Sequence, residues 1–500
     1  MEKSKRLISV GIATARRLCT AAIESESRRP EPRKSGSLYR RLSILGATGE
    51  NVSSAVNKFL REGNFPKKYE LESCVRELRR YKKHQNALEL IEWMEKRGIN
   101  LSYSDFAVKL DLLAKTQGID SAEKYFNSLS SRAKNRMTYG ALLNCYSKEK
   151  MAGKAMVLFL KMDELNYVDS ALAYNNIMTL YMRLNEPEKV PPLVQEMKER
   201  NISLDTFTYN VLMNSYACLK DIDGVERVME EVETKDSDKC DWTIYSNLAA
   251  IYIDAHLFDK AELALKQLEE KILPRDRRAY HFLISLYART KNLSEVHRVW
   301  SSLKLAFPKT NNLSYLVVLQ ALGKLDDLDG IKECFEEWLS GYTSYDIRLT
   351  NALVGVYLKW DMIKEAKLLI EDAVKRGYGP NYRTHEIFMD YFLKTCQTDL
   401  ALKCMETAVS KVKENEWKPS QERIRAFLEY FEEEKDVNGA EAFCQMLKKV
   451  NCLDAEAYKL LLCTYVAAGR TEPEIRRRMK ADGIEISSEV EDLLARVCPE

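Results

Sequence analysis

A self-similarity with a period of about 35 residues dominates the sequence. The tripeptide Ala-Tyr-Asn at residues 173–175 returns as Thr-Tyr-Asn at residues 208–210. Twelve copies of the unit follow one another, and they begin at Lys68, Tyr103, Arg136, Ala171, Thr206, Trp242, Arg277, Asn312, Ile347, Tyr382, Gln421 and Ala455. Seven of the eleven intervals between these starts are 35 residues long. Such a period indicates one supersecondary unit that is copied along the chain.

Each copy carries the apolar pattern of two amphipathic helices. The seventh, eighth and eleventh positions are apolar, as in Ile177, Met178 and Tyr181, and this spacing is helical. The twentieth position is small or β-branched in nearly every copy, for example Ala155 and Val225. A narrow side chain there lets a second helix pack closely on the first. Each copy therefore predicts a helical hairpin.

The hairpins are predicted to stack, because a single hairpin cannot bury its own apolar face. A content of 45% hydrophobic and 30% charged residues suits stacked amphipathic helices. We predict an all-α fold, a right-handed α-solenoid superhelix of about twelve 35-residue hairpins over residues 68–489. Residues 35–67 are predicted to be a helical or linker segment before the repeats, and residues 490–500 a C-terminal tail.

The first 34 residues differ in composition from the rest of the chain. Dispersed Lys and Arg residues surround a short apolar stretch at residues 7–12, and this pattern resembles an organellar transit peptide. Because the segment is short and rich in arginine, we predict a mitochondrial location, with the chloroplast as the alternative. A disordered basic tail without a targeting role is the other explanation. No segment has the roughly 20 uninterrupted apolar residues of a membrane span, so none is predicted.

Two segments carry a resemblance to a known family. Residues 207–216 (Phe-Thr-Tyr-Asn-Val-Leu-Met-Asn-Ser-Tyr) and 375–381 (Lys-Arg-Gly-Tyr-Gly-Pro-Asn) resemble the pentatricopeptide repeat, a family of plant organelle RNA-binding solenoids. The likeness extends over residues 68–489 and is strongest over residues 136–381. The tetratricopeptide repeat, a protein-binding hairpin of similar length, fits poorly, because its pattern has glycine at the eighth position, where this chain has residues such as Met178.

The resemblance implies that each repeat reads one RNA base through the fifth residue of the copy and its last residue. The predicted base-reading pairs are Asn175 with Asp205, Asn210 with Asp241, Ser246 with Asp276, His281 with Asn311, and Asn351 with Asn381. The first two pairs resemble uracil readers of the family, the third a guanine reader and the last a pyrimidine reader. The fourth pair departs from the clear combinations of the family.

The last residue of each copy has a second explanation. The last residues in these five pairs, all Asp or Asn, stand directly before a predicted helix, where they are favoured N-caps that stabilise by about 1 kcal/mol each. Capping alone and capping combined with base contact both stay open at this point. The asparagines at the fifth position favour base contact, because helix propensity does not favour asparagine there.

A second periodic signal is basic. The thirteenth position is Lys or Arg in eight of the first ten copies. The residues predicted to contact RNA phosphate are Lys115, Lys148, Arg183, Arg289, Lys324, Lys359 and Lys394. Stacked repeats would align these cations in a positive row, although the whole chain has a formal net charge of only +2. The alternative is that they complement the dipole at the C-terminal end of each first helix.

Motifs of enzymes and metal sites are missing from the sequence. It has no phosphate-binding glycine loop, no His-Glu-x-x-His and no zinc-type spacing of cysteine and histidine, so we predict no catalytic activity, no cofactor and no metal. The predicted function is sequence-selective binding of single-stranded organellar RNA by a monomer, in support of transcript processing, stability or translation. Other RNA-processing proteins are possible partners. The alternative function is a protein-binding helical scaffold in the same organelle.

Overall fold

The computed structural model describes residues 35–48, 51–273, 276–342, 344–411 and 417–498. Every regular element in these ranges is a helix, so the predicted all-α class is confirmed. The predicted transit peptide, residues 1–34, lies outside the described residues. The chain divides into two compact units, residues 1–273 and residues 274–500.

The first unit contains fourteen α-helices within its described residues. They are α1 (Ser35–Thr48), α2 (Val52–Arg61), α3 (Lys68–Arg80), α4 (His84–Lys96), α5 (Tyr103–Gln117), α6 (Ile119–Ser128), α7 (Arg136–Lys148), α8 (Ala152–Glu164), α9 (Ala171–Leu184), α10 (Val190–Glu199), α11 (Thr206–Cys218), α12 (Ile222–Lys235), α13 (Trp242–Asp254) and α14 (Phe258–Glu270). Short 3-10 turns at Pro187–Lys189 and Ser237–Lys239 precede α10 and α13.

The second unit contains thirteen α-helices within its described residues. They are α15 (Arg277–Arg289), α16 (Leu293–Ala306), α17 (Asn312–Lys324), α18 (Leu328–Gly341), α19 (Ile347–Lys359), α20 (Ile363–Lys375), α21 (Tyr382–Lys394), α22 (Thr398–Lys411), α23 (Gln421–Glu433), α24 (Val437–Lys449), α25 (Ala455–Ala467), α26 (Ile475–Ala481) and α27 (Ser488–Val497).

The twelve predicted copies form the twelve hairpins from α3–α4 to α25–α26. Every first helix begins at the residue predicted for the start of its copy. The close approach predicted at the twentieth position is also confirmed, because residues such as Ala155, Val225 and Ala366 are fully buried. Bulkier residues four positions later, such as Phe159 and Trp300, are buried beside them. Apolar side chains from neighbouring hairpins thereby form the core of each unit.

The turn inside each hairpin is made by one residue with a left-handed backbone. In eleven of the twelve copies this residue is the fifteenth, with φ between 54° and 64°. Only Gly469 among the eleven is a glycine; the others include Lys220, Asp326 and Cys396. A left-handed residue after the last helical turn reverses the chain so that the second helix can pack against the first.

The two ends of the repeat region are helical as well. Helices α1 and α2 lie in the segment predicted to precede the repeats, and α1 packs on α3 as α2 packs on α4. At the other end, the predicted boundary between residues 489 and 490 falls inside α27. Val490, Leu494 and Val497 are buried, and α27 packs against α25. The apolar stripe of this helix therefore covers the last hairpin.

Candidate nucleic-acid interface

The predicted base-reading positions are polar side chains in buried surroundings. The fifth residues Asn175, Asn210, Ser246, His281 and Asn351 lie near the N-terminal ends of the first helices of their copies, and each is less than one-tenth exposed. A buried polar group needs a hydrogen-bond partner, because its loss of contact with water is otherwise uncompensated. The hydrogen-bond partners of these side chains therefore determine which donors and acceptors remain free to bind a ligand.

The last residues of the five predicted base-reading pairs are helix N-caps, as their second explanation predicted. Asp205 Oδ1 accepts from the backbone N of Thr208 at 2.7 Å, and Asn381 Oδ1 accepts from the backbone N of Thr384 at 3.0 Å. Equivalent caps are made by Asp241, Asp276, Asn311 and Asp346. Capping is thus observed, and contact with a base stays a prediction.

Three side chains from neighbouring copies form a hydrogen-bonded set at the start of α11. Asn175 Nδ2 lies 3.2 Å from both carboxylate oxygens of Asp205, and Asn175 Oδ1 lies 2.9 Å from the Thr208 hydroxyl. Asn175 is the fifth residue of one copy, Asp205 its last residue, and Thr208 the third residue of the next copy. We call such a set a polar triad.

The second unit contains two further polar triads. At the start of α21, Asn351 Nδ2 donates to Asn381 Oδ1 at 3.3 Å, and the Thr384 hydroxyl donates to Asn351 Oδ1 at 2.8 Å. These contacts repeat those of Asn175. Sequence reasoning paired the fifth and last residues but missed the third member, although an Asp or Asn followed three residues later by Thr is a recognisable capping pattern.

The other triad of the second unit contains a histidine. The Ser314 hydroxyl lies 3.0 Å from Asn311 Oδ1 and 2.8 Å from His281 Nε2, within hydrogen-bond distance of both. Burial lowers the pKa of His281 to about 4, with a smaller contribution from the nearby charge of Arg277. The imidazole is therefore neutral near pH 7, with one ring nitrogen a donor and the other an acceptor.

Asn210 lacks the third member of a triad. The third residue of the next copy is Ile244, which has no hydroxyl and is fully buried. Asp241 caps the backbone N of Thr243 at 2.8 Å instead of contacting this amide. Asn210 is only 7% exposed, and its Oδ1 is buried without a hydrogen-bond partner among the described residues. Asn175 and Asn210 thus differ in surroundings despite their equivalent places.

Two other fifth-position residues have different surroundings. Ser246 is buried in α13 of the first unit, whereas its predicted partner Asp276 caps α15 of the second unit through the backbone N of Arg278 at 3.0 Å. Glu386, the fifth residue of the copy that begins at Tyr382, is buried in salt bridges with Arg383 and with Arg423, whose Nη1 lies 2.5 Å from Glu386 Oε1. A carboxylate that is paired with two cations has little acceptor capacity left for hydrogen bonds to a base.

The predicted phosphate-contacting residues Lys115 and Lys148 converge on one carboxylate. Asp111 Oδ2 lies 2.7 Å from Lys115 Nζ and 3.3 Å from Arg79 Nη2, while Asp111 Oδ1 lies 3.2 Å from Lys148 Nζ. Burial opposes the charge of Asp111, but the attraction of the three cations outweighs it and lowers the pKa of this carboxyl to about 2. We call these four residues the basic cluster. Three cations and one carboxylate leave it with a net charge of about +2.

The remaining predicted phosphate contacts lie at equivalent places on their helices. Arg183 Nη1 donates to the carbonyl of Ser147 at 3.0 Å, which places it beside the basic cluster. In the second unit, Lys359 pairs with Asp326 in the turn that follows α17. Lys324 and Lys394 are exposed at the ends of α17 and α21, and Arg289 ends α15. Their contact with RNA stays a prediction.

Across the part of the chain that the structure describes, no group of three or more His, Cys, Asp or Glu residues is arranged to hold a metal ion. None of the described helices is long and apolar enough to cross a membrane.

Comparison with known proteins yields matches along most of the chain. Residues 169–218 match the PPR repeat family, and residues 137–167 and 207–237 match the PPR repeat. One mitochondrial pentatricopeptide repeat-containing protein of Arabidopsis thaliana is 47% identical over 465 residues, which cover 92% of this chain and 87% of that protein. Another is 44% identical over 495 residues, which cover 97% and 98%. The mitochondrial relatives confirm the predicted location.

A third relative from Arabidopsis thaliana is named large ribosomal subunit protein mL101 (rPPR4). It is 48% identical over 463 residues, which cover 92% of this chain and 94% of that protein. Among solved structures, the pentatricopeptide repeat protein PPR10 from maize matches 86% of this chain and 65% of its own, with 16% identity and a TM-score of 0.47.

Proposed function

We propose, because the chain belongs to the pentatricopeptide repeat family, that it binds single-stranded RNA in mitochondria and discriminates among bases at a few nucleotides. In this proposal it acts as a monomer that supports the processing, stability or translation of a transcript. The observation that carries the proposal is the recurrence of the polar triad, with buried amides at Asn175 and Asn351 in equivalent hydrogen bonds. Such amides can distinguish the edges of unstacked bases.

The charge distribution supports the same proposal. The basic cluster concentrates positive charge in the first unit, although the chain as a whole is nearly neutral. Local positive charge attracts a phosphate backbone, whereas a small net charge limits indiscriminate binding. The expected behaviour is selective binding with a moderate dependence on salt.

Selection from a randomised RNA pool, followed by sequencing of the bound fraction, tests this proposal. The unaltered chain is expected to enrich a short motif. Asn175→Ala is expected to lower discrimination at one nucleotide by about 1 kcal/mol, roughly fivefold, because one hydrogen bond to a base is lost. Gln195→Ala, on the exposed face of α10, is the matched control and should leave the motif unchanged. A motif unaffected by Asn175→Ala in a folded variant would leave helix capping as the only role of this triad.

A second candidate function follows from one specific relative. Because the protein named large ribosomal subunit protein mL101 is 48% identical over nearly its whole length, we propose as the alternative that this chain is a scaffold that assembles with the mitochondrial ribosome. Sedimentation of the tagged chain from mitochondrial extract distinguishes the two functions. Comigration with the large ribosomal subunit would favour the scaffold. Migration of the tagged chain in ribosome-free fractions, as a complex that becomes smaller after RNase treatment, would favour the free RNA-binding protein.

A further inference from the structure

The polar triads point to a positioning role for their third member, and this inference rests on the proposed function. We propose that the hydroxyls of Thr208 and Thr384, each on the helix of the following copy, orient the fifth-position asparagine and thereby fix which hydrogen-bonding group an RNA base meets. The copy that reads the base would then not contain all the residues that set its selectivity.

The distribution of protons in the triad supports this role. The Thr208 hydroxyl has one proton and two acceptors within reach, Asn175 Oδ1 at 2.9 Å and Asp205 Oδ1 at 2.8 Å. Asp205 Oδ1 already accepts from the backbone N of Thr208 and from Asn175 Nδ2. Donation to Asn175 therefore leaves neither oxygen unsatisfied, which is the arrangement that buried polar groups adopt.

An amide that is fixed in one orientation by hydrogen bonds presents only one kind of group to a base. With Asn175 Oδ1 held by Thr208 and one N–H held by Asp205, the group that remains is the second N–H of the amide. It is a donor, so it matches a carbonyl oxygen of a base and opposes an amino group. Asn351 is held in the same way by Thr384, whose hydroxyl lies 2.8 Å from Asn351 Oδ1. Both positions are therefore set to discriminate between acceptor and donor edges.

Asn210 provides the contrast within the same unit. Ile244 stands where a hydroxyl would be, and Asn210 Oδ1 is buried without a partner among the described residues. Nothing at that place holds the amide in one orientation, so rotation of the amide can present either its oxygen or its nitrogen to a base. The pairs Asn175 with Asp205 and Asn210 with Asp241 are chemically identical, yet we expect strict discrimination at the first and relaxed discrimination at the second.

The test uses the full chain and four RNAs that differ at one nucleotide, the one whose preference is lost in Asn175→Ala. Thr208→Val removes the hydroxyl at nearly constant shape and is expected to reduce the discrimination at this nucleotide severalfold, with the salt dependence of binding unchanged. Thr208→Ser keeps a hydroxyl and should retain the discrimination. Ile244→Thr adds the missing hydroxyl and should sharpen discrimination at the neighbouring nucleotide, which Asn210→Ala identifies. A merely structural role would change thermal stability but not the base preference.

Each outcome has one consequence. If Thr208→Val folds and binds RNA with the same base preference as the unaltered chain, the positioning role is wrong while the proposed function stands. If Thr208→Val does not fold, Ile244→Thr decides, and an unchanged preference at its nucleotide overturns the inference. If the unaltered chain does not discriminate among RNAs, the proposed function is wrong and the positioning role is rejected with it.

Discussion

Buried polar side chains are the residues on which the candidate interface depends. Their hydrogen bonds join neighbouring copies, because the fifth residue of one copy contacts the cap of the next first helix. A buried amide that is satisfied in this way is ordered before a ligand arrives, which limits the conformational entropy lost on binding. We therefore expect the chemical differences among Asn175, Asn210 and His281 to give different hydrogen-bonding surfaces to a base.

His281 makes stability depend on pH. Burial lowers its pKa to about 4 from the ordinary value near 6.5, so between these values the unfolded chain binds a proton that the folded chain does not. Its contribution to the free energy of unfolding is present above pH 6.5 and is lost as the pH falls toward 4. Denaturant unfolding at pH 7 and at pH 5 measures this contribution. His281→Asn should reduce the difference between the free energies of unfolding at the two pH values by about 1–2 kcal/mol.

The control for this measurement is His256→Asn, because His256 is exposed in a hairpin turn. It makes the same substitution at an exposed position and so reports the effect on unfolding of exchanging a histidine for asparagine. An equal pH dependence for the unaltered chain and His281→Asn would contradict the prediction.

Asp111 is expected to weaken RNA binding by partly neutralising the basic cluster. Asp111→Asn raises the net charge of the cluster by one, so it should increase affinity severalfold at low salt and equally for every sequence. Lys148→Ala should have the opposite effect and flatten the plot of log affinity against log salt by roughly 0.7. Filter binding at several salt concentrations measures both.

Lys154→Ala is the matched control for the cluster, because Lys154 pairs with Glu123 at 2.6 Å instead of with Asp111. It should change neither affinity nor salt dependence by much. Affinities of Asp111→Asn and Lys148→Ala that equal that of the unaltered chain would remove the cluster from the RNA-binding surface.

The site was only partly predictable from the sequence. The caps Asp205 and Asn381 could be predicted because capping depends on residues three positions away in the chain. The contact of Asn175 with Thr208 joins residues 33 positions apart, and the contact of Lys148 with Asp111 joins residues 37 apart. Such contacts depend on how closely adjacent first helices pack, which a period of 35 residues does not specify.

At the scale of helices, boundaries follow from local backbone chemistry. The starts of the first helices were predictable because Asp, Asn or Ser often precedes them as a cap. A short polar turn before the second helix was predictable, but its left-handed residue was not, because residues such as Lys220 and Cys396 stand where glycine would be the usual signal. Helix α27 was not predicted, because it follows the twelfth hairpin and the last predicted boundary, between residues 489 and 490, falls inside it.

Replacing a glycine near the start of a second helix by alanine should change stability differently from one hairpin to another. In α12 a Cβ atom on Gly224 would lie 2.6 Å from both Asp221 Oδ2 and Tyr216 Cδ1. Gly224→Ala should therefore destabilise by about 1–3 kcal/mol through overpacking, although Ala is normally the better helix former. In α8 a Cβ atom on Gly153 would meet nothing within 4 Å, so Gly153→Ala should stabilise by up to about 1 kcal/mol.

Thermal unfolding of the two variants measures this contrast within one unit. Their shifts in midpoint should have opposite signs. Stabilisation by Gly224→Ala would mean that Asp221, whose Oδ1 accepts from the backbone N of Gly224 at 2.7 Å, can move without losing its cap.

At the scale of the whole molecule, stacking of one repeated unit accounts for the helical content of both units. The repeat period was sufficient to predict this class, because hairpins that bury an apolar face only against neighbours have few other arrangements. The hairpin α1–α2 was predicted only as a helical or linker segment, since it precedes the first recognisable copy. A repeat pattern thus defines the interior of such a chain better than its ends.

The remaining whole-molecule prediction concerns delivery to the organelle. Residues 1–34 contain dispersed cations around a short apolar stretch, a composition that import machinery recognises. A fusion of residues 1–63 to a fluorescent reporter should therefore enter mitochondria in plant cells. A fusion of residues 35–63 lacks this segment and should stay in the cytosol. The double substitution Arg16→Gln and Arg17→Gln in the longer fusion should reduce import, because it removes positive charge from the segment. Import of the fusion that starts at residue 35 would place the targeting information within residues 35–63 instead of the first 34 residues. A plastid signal from the longer fusion would contradict the assignment of this segment to mitochondria.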